Sequence, residues 1–244
     1  MAGGAPHHFH PTAQRIVTDK PIVIFGESQL ASLAHFYLRH DSPHTVAAFT
    51  VDAAYRKNDR YEDLPLVDFE TVTESYPPAE YAMFLPVSFK QMSHLRRQKY
   101  EAAKEKGYEI ISYVSSKATT WPGLDVGENC FIFEDNTIQP FVKIGHNCVL
   151  WSGNHIGHHT TIGDHVFITS HVVISGACTI EDHSFFGVNA TVRDETIIGE
   201  GTLVGMGALI TKDTEPYSIH LGAKGKIARG KSLDLDSISH KSGG

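Results

Sequence analysis

The chain is poor in cysteine, has no long apolar run and carries no excess of positive charge. Its 244 residues include three cysteines, too few for a disulfide framework, so reduced thiols and a cytoplasmic location are expected. No apolar run approaches the roughly 20 residues that span a bilayer. The first twenty residues also lack the apolar stretch of a secretory signal, so neither membrane insertion nor export is expected. A formal net charge of −7 offers no basic stripe to displace phosphate counterions, which argues against nucleic acid as a partner. What remains is an ordinary globular composition, 41% hydrophobic and 20% charged, long enough for one large domain or two small ones.

The second half of the chain is a repeat. From Val126 to Ile210 an aliphatic or aromatic residue recurs at every sixth position, fifteen times without a break. Four residues after nearly every one sits a small or β-branched side chain, as at Cys130, Val142, Cys148, Thr160 and Cys178. Glycine favours the position just after the aliphatic one, as at Gly127, Gly145, Gly157 and Gly163, where it suits a corner. A period of six fits neither a helix face nor a plain strand. It fits one short strand plus one tight turn, three of which close a triangular coil. Stacked coils pair as parallel strands about 4.8 Å apart. The longer register is visible in "VGENC", "IGHNC", "IGDHV", "IEDHS" and "IGEGT", each beginning eighteen residues after the last. The spacing turns the three cysteines inward, which makes them core residues rather than nucleophiles.

Residues 20–114 read as alternating β and α elements: "PIVIFG", "ESQLASLAHFYLRH", "HTVAAFTVD", "DFETVTESY", "EYAMFLPV" and "SHLRRQKYEAAKEKGYEIISYV". Alternation of this kind predicts a small Rossmann-like parallel sheet with helices on its faces. Ligands in such sheets bind beyond the carboxyl ends of the strands. That nominates Gly26, Glu27, Ser28, Asp52 and Ser88, with Ser28 also suited to cap the first helix. The loop "GESQLA" is not a dinucleotide fingerprint, since only its first glycine is present. Residues 1–19, with His7, His8 and His10, read as a flexible leader, residues 115–229 as the β-helix, and residues 230–244 as a polar tail.

These halves together resemble the sugar acyltransferases of the PglD/NeuD-like family. The resemblance runs from "IVIFG" to "GAKGKIARG" and is most specific over "NHIGHHTTIGDHVFITSHVVISGACTI". It implies a left-handed parallel β-helix of hexapeptide repeats behind the α/β domain, assembled as a homotrimer. It implies transfer of an acetyl group from acetyl-CoA to an amino sugar, a nucleotide-linked one, in surface glycan synthesis. His158 falls on the family's general base, and His159 replaces the acid that usually follows it. Lys226 falls on the family's lysine near coenzyme A, and Gly176, Phe167 and Gly205 are nominated with it to hold the cofactor. Gly26, Ser28 and Asp52 fall where the nucleotide sugar is held, and Glu27 and Ser88 join them as strand-end residues. Trp151 stands where asparagine is common, and Lys224 where the family's terminal proline would be.

The repeat supports His158 independently, because the position two after Ile156 faces outward and Gly176 occupies the same corner one coil on. A base above a missing side chain leaves a slot for a thioester, with the Gly176 N–H able to bind the oxyanion. His165 and His183, in register below Asn147 and Asn129, read as a surface ladder, and His155 and His171 as possible cleft residues. No metal is expected. Sugar O-acetylation is the alternative within the family, and a non-catalytic binding or assembly module is the alternative of another class.

Overall fold

A computed structural model describes residues 18–227 together with Ser232. The histidines of the leader and nearly all of the polar tail lie outside the described residues.

The front domain is a parallel sheet closed by one short hairpin. Its elements are β1 (Ile22–Phe25), α1 (Gln29–Asp41), β2 (Val46–Val51), β3 (Arg60–Tyr61), β4 (Leu64–Asp68), α2 (Val72–Ser75), β5 (Ala82–Phe84), α3 (His94–Glu105) and β6 (Glu109–Ile110). The strand order is β3-β4-β2-β1-β5-β6, with only β3 antiparallel. The chain winds outward on one side of β1 and then crosses to β5 on the other. The topological switch point therefore lies between β1 and β5, and such sheets bind ligands in a crevice beyond the carboxyl ends of the strands there. The β3–β4 hairpin is not foreseen from sequence. Its strands are short, and Pro65 interrupts the apolar run.

From Tyr113 onward the chain is a left-handed parallel β-helix. Each coil contributes one two-residue strand to each of three sheets. The first sheet starts at Tyr113–Val114 and repeats every eighteen residues to Leu203–Val204, closing with Ile219–His220. The second runs from Thr137–Ile138 to Leu209–Ile210, and the third from Asp125–Val126 to Ile197–Ile198. Tyr113–Val114 pairs with Phe131–Ile132, so the last strand assigned to the front domain by sequence already belongs to the first coil.

In all strands of the β-helix but Asp125–Val126 and Ile219–His220 the second residue is buried, and Ile132, Ile156, Ile168, Ile174 and Phe186 show no exposed surface. The three cysteines are buried with them. Burial pushes the Cys148 and Cys178 thiols up, which removes them as nucleophiles at neutral pH. Asn136 and Asn154 take the small inward position in two hexads, and each amide donates to the Trp151 carbonyl.

The corners differ from the sequence expectation in one respect. The positive φ recurs three residues after the aliphatic position, at residues such as Asn129, Asn147, His159, His165 and His183. The glycines one residue after it serve close stacking instead. A Cβ on Gly127 would lie 2.7 Å from the carbonyl carbon of Gly145 in the next coil.

The first residue of each strand in the first sheet points outward, and this face is apolar. Phe131, Val149 and Phe167 form one core with Ile22, Ile24, Phe49 and Phe84 of the front domain. The front domain is thus seated on the first sheet. Of the three vertices of the prism, the one between the second and third sheets lies opposite that face.

Candidate active site

His158 stands on that opposite vertex, two residues past the strand His155–Ile156, and its side chain is exposed. Gly176 takes the same place one coil on. A Cβ there would sit 2.6 Å from His158 Cε1 and 2.8 Å from Nε2, so the imidazole lies directly over the Gly176 backbone. The missing side chain does not leave an empty slot, as the sequence suggested; the His158 ring fills it. The Gly176 N–H makes no hydrogen bond to any described residue, whereas the His158 N–H is taken by Gln139 Oε1 at 2.9 Å. A free N–H beside a base is the pairing an acyl transfer needs for its oxyanion.

His159 adopts φ +60°, and this turn swings its ring back onto its neighbour. The two Nδ1 atoms are 3.1 Å apart and the ring planes are nearly perpendicular. Phe141, one coil earlier, packs against the other side of His159 with centroids 4.6 Å apart.

The remaining residues nominated for the coenzyme are not brought to this vertex. Phe167 is 3% exposed and sits between the domains, with Phe185 stacked on it, Phe89 at its edge and the Arg96 guanidinium over its ring. So packed, the ring offers little surface to a coenzyme, in contrast to the nomination from sequence. Gly205 follows a strand of the first sheet and turns another vertex, where a Cβ would meet His220 O at 2.9 Å. Lys226 is exposed on the chain leaving the last strand. His155 faces outward on the second sheet between Thr137 and Val173, and His171 lies over Gly153 on a different vertex.

The nominated front-domain residues each follow the carboxyl end of a strand of the sheet. Gly26, at φ +110°, turns the chain from β1 into α1. Ser28 holds the N-cap position of α1 but makes no side-chain cap bond. Asp52 follows β2 and pairs with Lys99 Nζ at 2.5 Å. Ser88 lies on the half-buried turn beyond β5. Lys99 is the functional candidate that sequence reasoning missed. It comes from α3, and its ammonium also lies over Phe25 and Phe69. Its signal was the cationic run of that helix, which carries no register of its own.

The ladder of asparagine and histidine is buried, not on the surface. Asn129 exchanges two hydrogen bonds with the Leu85 backbone and donates to Asn147. Asn147 meets His165 Nδ1 at 2.9 Å, His165 packs on His183, and His183 meets Met92 O. Burial, with His183 next, pulls the His165 imidazole down to about 4. This column fastens the crevice-forming turn after β5 to the β-helix. Among the described residues no group of three His, Cys, Asp or Glu could hold a metal, and no helix is long and apolar enough to cross a membrane.

Two families of known proteins match within the repeat. Residues 142–176 match the bacterial transferase hexapeptide (six repeats), and residues 178–212 match the hexapeptide repeat of succinyl-transferase. Both matched stretches lie within the coils of the β-helix. Comparison with curated proteins gives no match. Among solved structures, the acetyltransferase domain of PglB from Neisseria gonorrhoeae is similar over 84% of this chain and 97% of that one, at 18% identity and a TM-score of 0.74. WeeI from Acinetobacter baumannii is similar over 83% and 97%, at 21% identity and a TM-score of 0.71. A histidine-to-asparagine mutant of perosamine N-acetyltransferase from Caulobacter crescentus, in complex with CoA and GDP-perosamine, is similar over 84% and 95%, at 18% identity and a TM-score of 0.67. The shared fold therefore spans both domains and nearly the full length of each of these proteins.

Proposed function

We propose that this protein transfers the acetyl group of acetyl-CoA to the amino group of a nucleotide-linked sugar, with His158 as general base. The observation that carries the reading is the His158 ring lying over Gly176, whose N–H is free to receive an oxyanion. The two-domain likeness to a sugar N-acetyltransferase solved with CoA and a nucleotide sugar supports the donor and the class of acceptor. His158 Nε2 takes a proton from the attacking amine, and the Gly176 N–H stabilises the charge that develops on the thioester oxygen. Attack is direct, since every cysteine of the chain is in the core.

The nucleotide sugar would enter the crevice at Gly26–Ser28, where the N-terminus of α1 and the Lys99 ammonium suit phosphate. That crevice belongs to the domain seated on the first sheet, and His158 stands on the vertex opposite. One chain does not bring the two together. The reading therefore includes a homotrimer in which the crevice of one subunit serves the base of its neighbour. A cytoplasmic location, where acetyl-CoA is available, goes with it.

The test is release of free thiol from acetyl-CoA against a panel of nucleotide-linked amino sugars. Turnover with one of them is expected in the wild type, with a loss of about 10²–10⁴-fold in His158→Ala, the range for a general base. Full turnover in that variant would remove His158 from the mechanism.

A further inference from the structure

One hydrogen atom joins His158 to His159. Two imidazole Nδ1 atoms 3.1 Å apart can share only a single hydrogen, so one ring donates and the other accepts. When His158 donates, its Nε2 keeps a lone pair and can act as a base. When His159 donates, His158 carries its hydrogen on Nε2 and cannot. No other described residue meets His158 Nδ1. Gln139 holds its main chain, Gly176 lies beneath the ring, and Phe141 backs His159. Neither imidazole forms an ion pair with a described residue. The acids in register at this vertex are Asp194 and Glu195, two coils further on.

We propose that His159 is a positioning residue that also stores the substrate's proton, making the pair a two-imidazole relay. The chemical step rests on the acetyltransferase reading; the shared hydrogen does not. The amine nitrogen forms a bond to the thioester carbon, and the carbonyl electron pair moves onto oxygen. One amine proton passes to His158 Nε2 while the hydrogen on His158 Nδ1 passes to His159 Nδ1. His158 is then neutral with its hydrogen on Nε2, and the positive charge rests on exposed His159. As the carbonyl re-forms and the C–S bond breaks, the departing thiolate takes the Nε2 hydrogen. The stored hydrogen returns from His159 to His158 Nδ1. The amine proton ends on the thiol of coenzyme A, and both rings return to their first state.

A carboxylate in this position would hold the hydrogen of a cationic His158 without taking charge away from it. The histidine pair behaves differently in acid, because both rings must be neutral for the base to work. The acid limb of log kcat therefore steepens from a slope of one to a slope of two as pH falls. In His159→Gln the limb keeps a slope of one and kcat falls about 10²-fold with KM for acetyl-CoA unchanged. His159→Glu restores an acceptor and recovers most of kcat, again with a slope of one.

Nitrogen NMR of the two rings in the full chain, without substrate, reads the pair directly. The expected result is a two-step titration of His158 in the wild type and a single step in His159→Gln. A single independent step in the wild type overturns the proposal whatever the enzyme does, and so does an undiminished kcat in His159→Gln. Failure of the wild type to acetylate any sugar in the panel overturns the acetyltransferase reading instead, and a two-step titration would still stand.

Discussion

At the scale of single residues, the vertex that bears His158 depends on what glycine lacks. A methyl group on Gly176 would press into the imidazole at 2.6 Å from Cε1, and the ring must move. Displacement of a base by about 1 Å costs on the order of 10²-fold in rate. Gly176→Ala is therefore expected to lower kcat by 10- to 100-fold, roughly, with an unchanged circular dichroism spectrum. Phe167 gives the opposite pattern, since it is enclosed between the domains. Phe167→Ala should cost about 3–5 kcal/mol of stability, measured by denaturant unfolding, while the KM for acetyl-CoA stays at the wild-type value. A raised KM in a folded Phe167→Ala protein would return the residue to the coenzyme site. The six-residue period puts Phe167 one residue before the inward Ile168, and the period does not carry which domain covers that face.

At the scale of elements, the column Asn129, Asn147, His165 and His183 joins the third-to-first vertex of the β-helix to α3 and the turn after β5. Its asparagines and histidines share one register because that register has positive φ, which asparagine tolerates better than most residues. Backbone conformation selected the column, and the front domain buried it. His165 is held neutral in the folded state at pH values where a free histidine has begun to protonate. Its folded pKa lies below the unfolded one, so its contribution to stability is full above about pH 6.5 and declines as pH falls toward 4. Over that window the slope amounts to at most about 1.4 kcal/mol per pH unit for one proton. Thermal unfolding between pH 7 and pH 4 should show the decline. His165→Asn, which keeps a partner for Asn147, should flatten it. An equal slope in the variant would assign the acid sensitivity to other groups.

At the scale of the whole molecule, the prism separates its two candidate sites by construction. The front domain covers the apolar first sheet, and the base stands on the vertex that this sheet does not touch. Sedimentation should therefore give a particle of three times the 26.9 kDa chain mass. Co-expressing His158→Ala with a Ser28→Arg chain, each inactive alone, should restore part of the activity, because mixed trimers contain one intact crevice beside one intact base. Absence of any recovery would place both halves of the site in a single chain. The six-residue period was sufficient for the coils, the inward cysteines and the outward His158. Each of these is a matter of local register, and a strand residue faces in or out whatever lies beyond it. The nature of the corners, the burial of the ladder, the Asp52–Lys99 pair and the meeting of the two Nδ1 atoms are decided only by the tertiary structure. They depend on how far apart coils stack, on which face the second domain occupies, and on a positive φ at His159 that turns its ring onto its neighbour. Those are distances between segments remote in the chain, or torsions settled by packing, and spacing along a sequence carries neither.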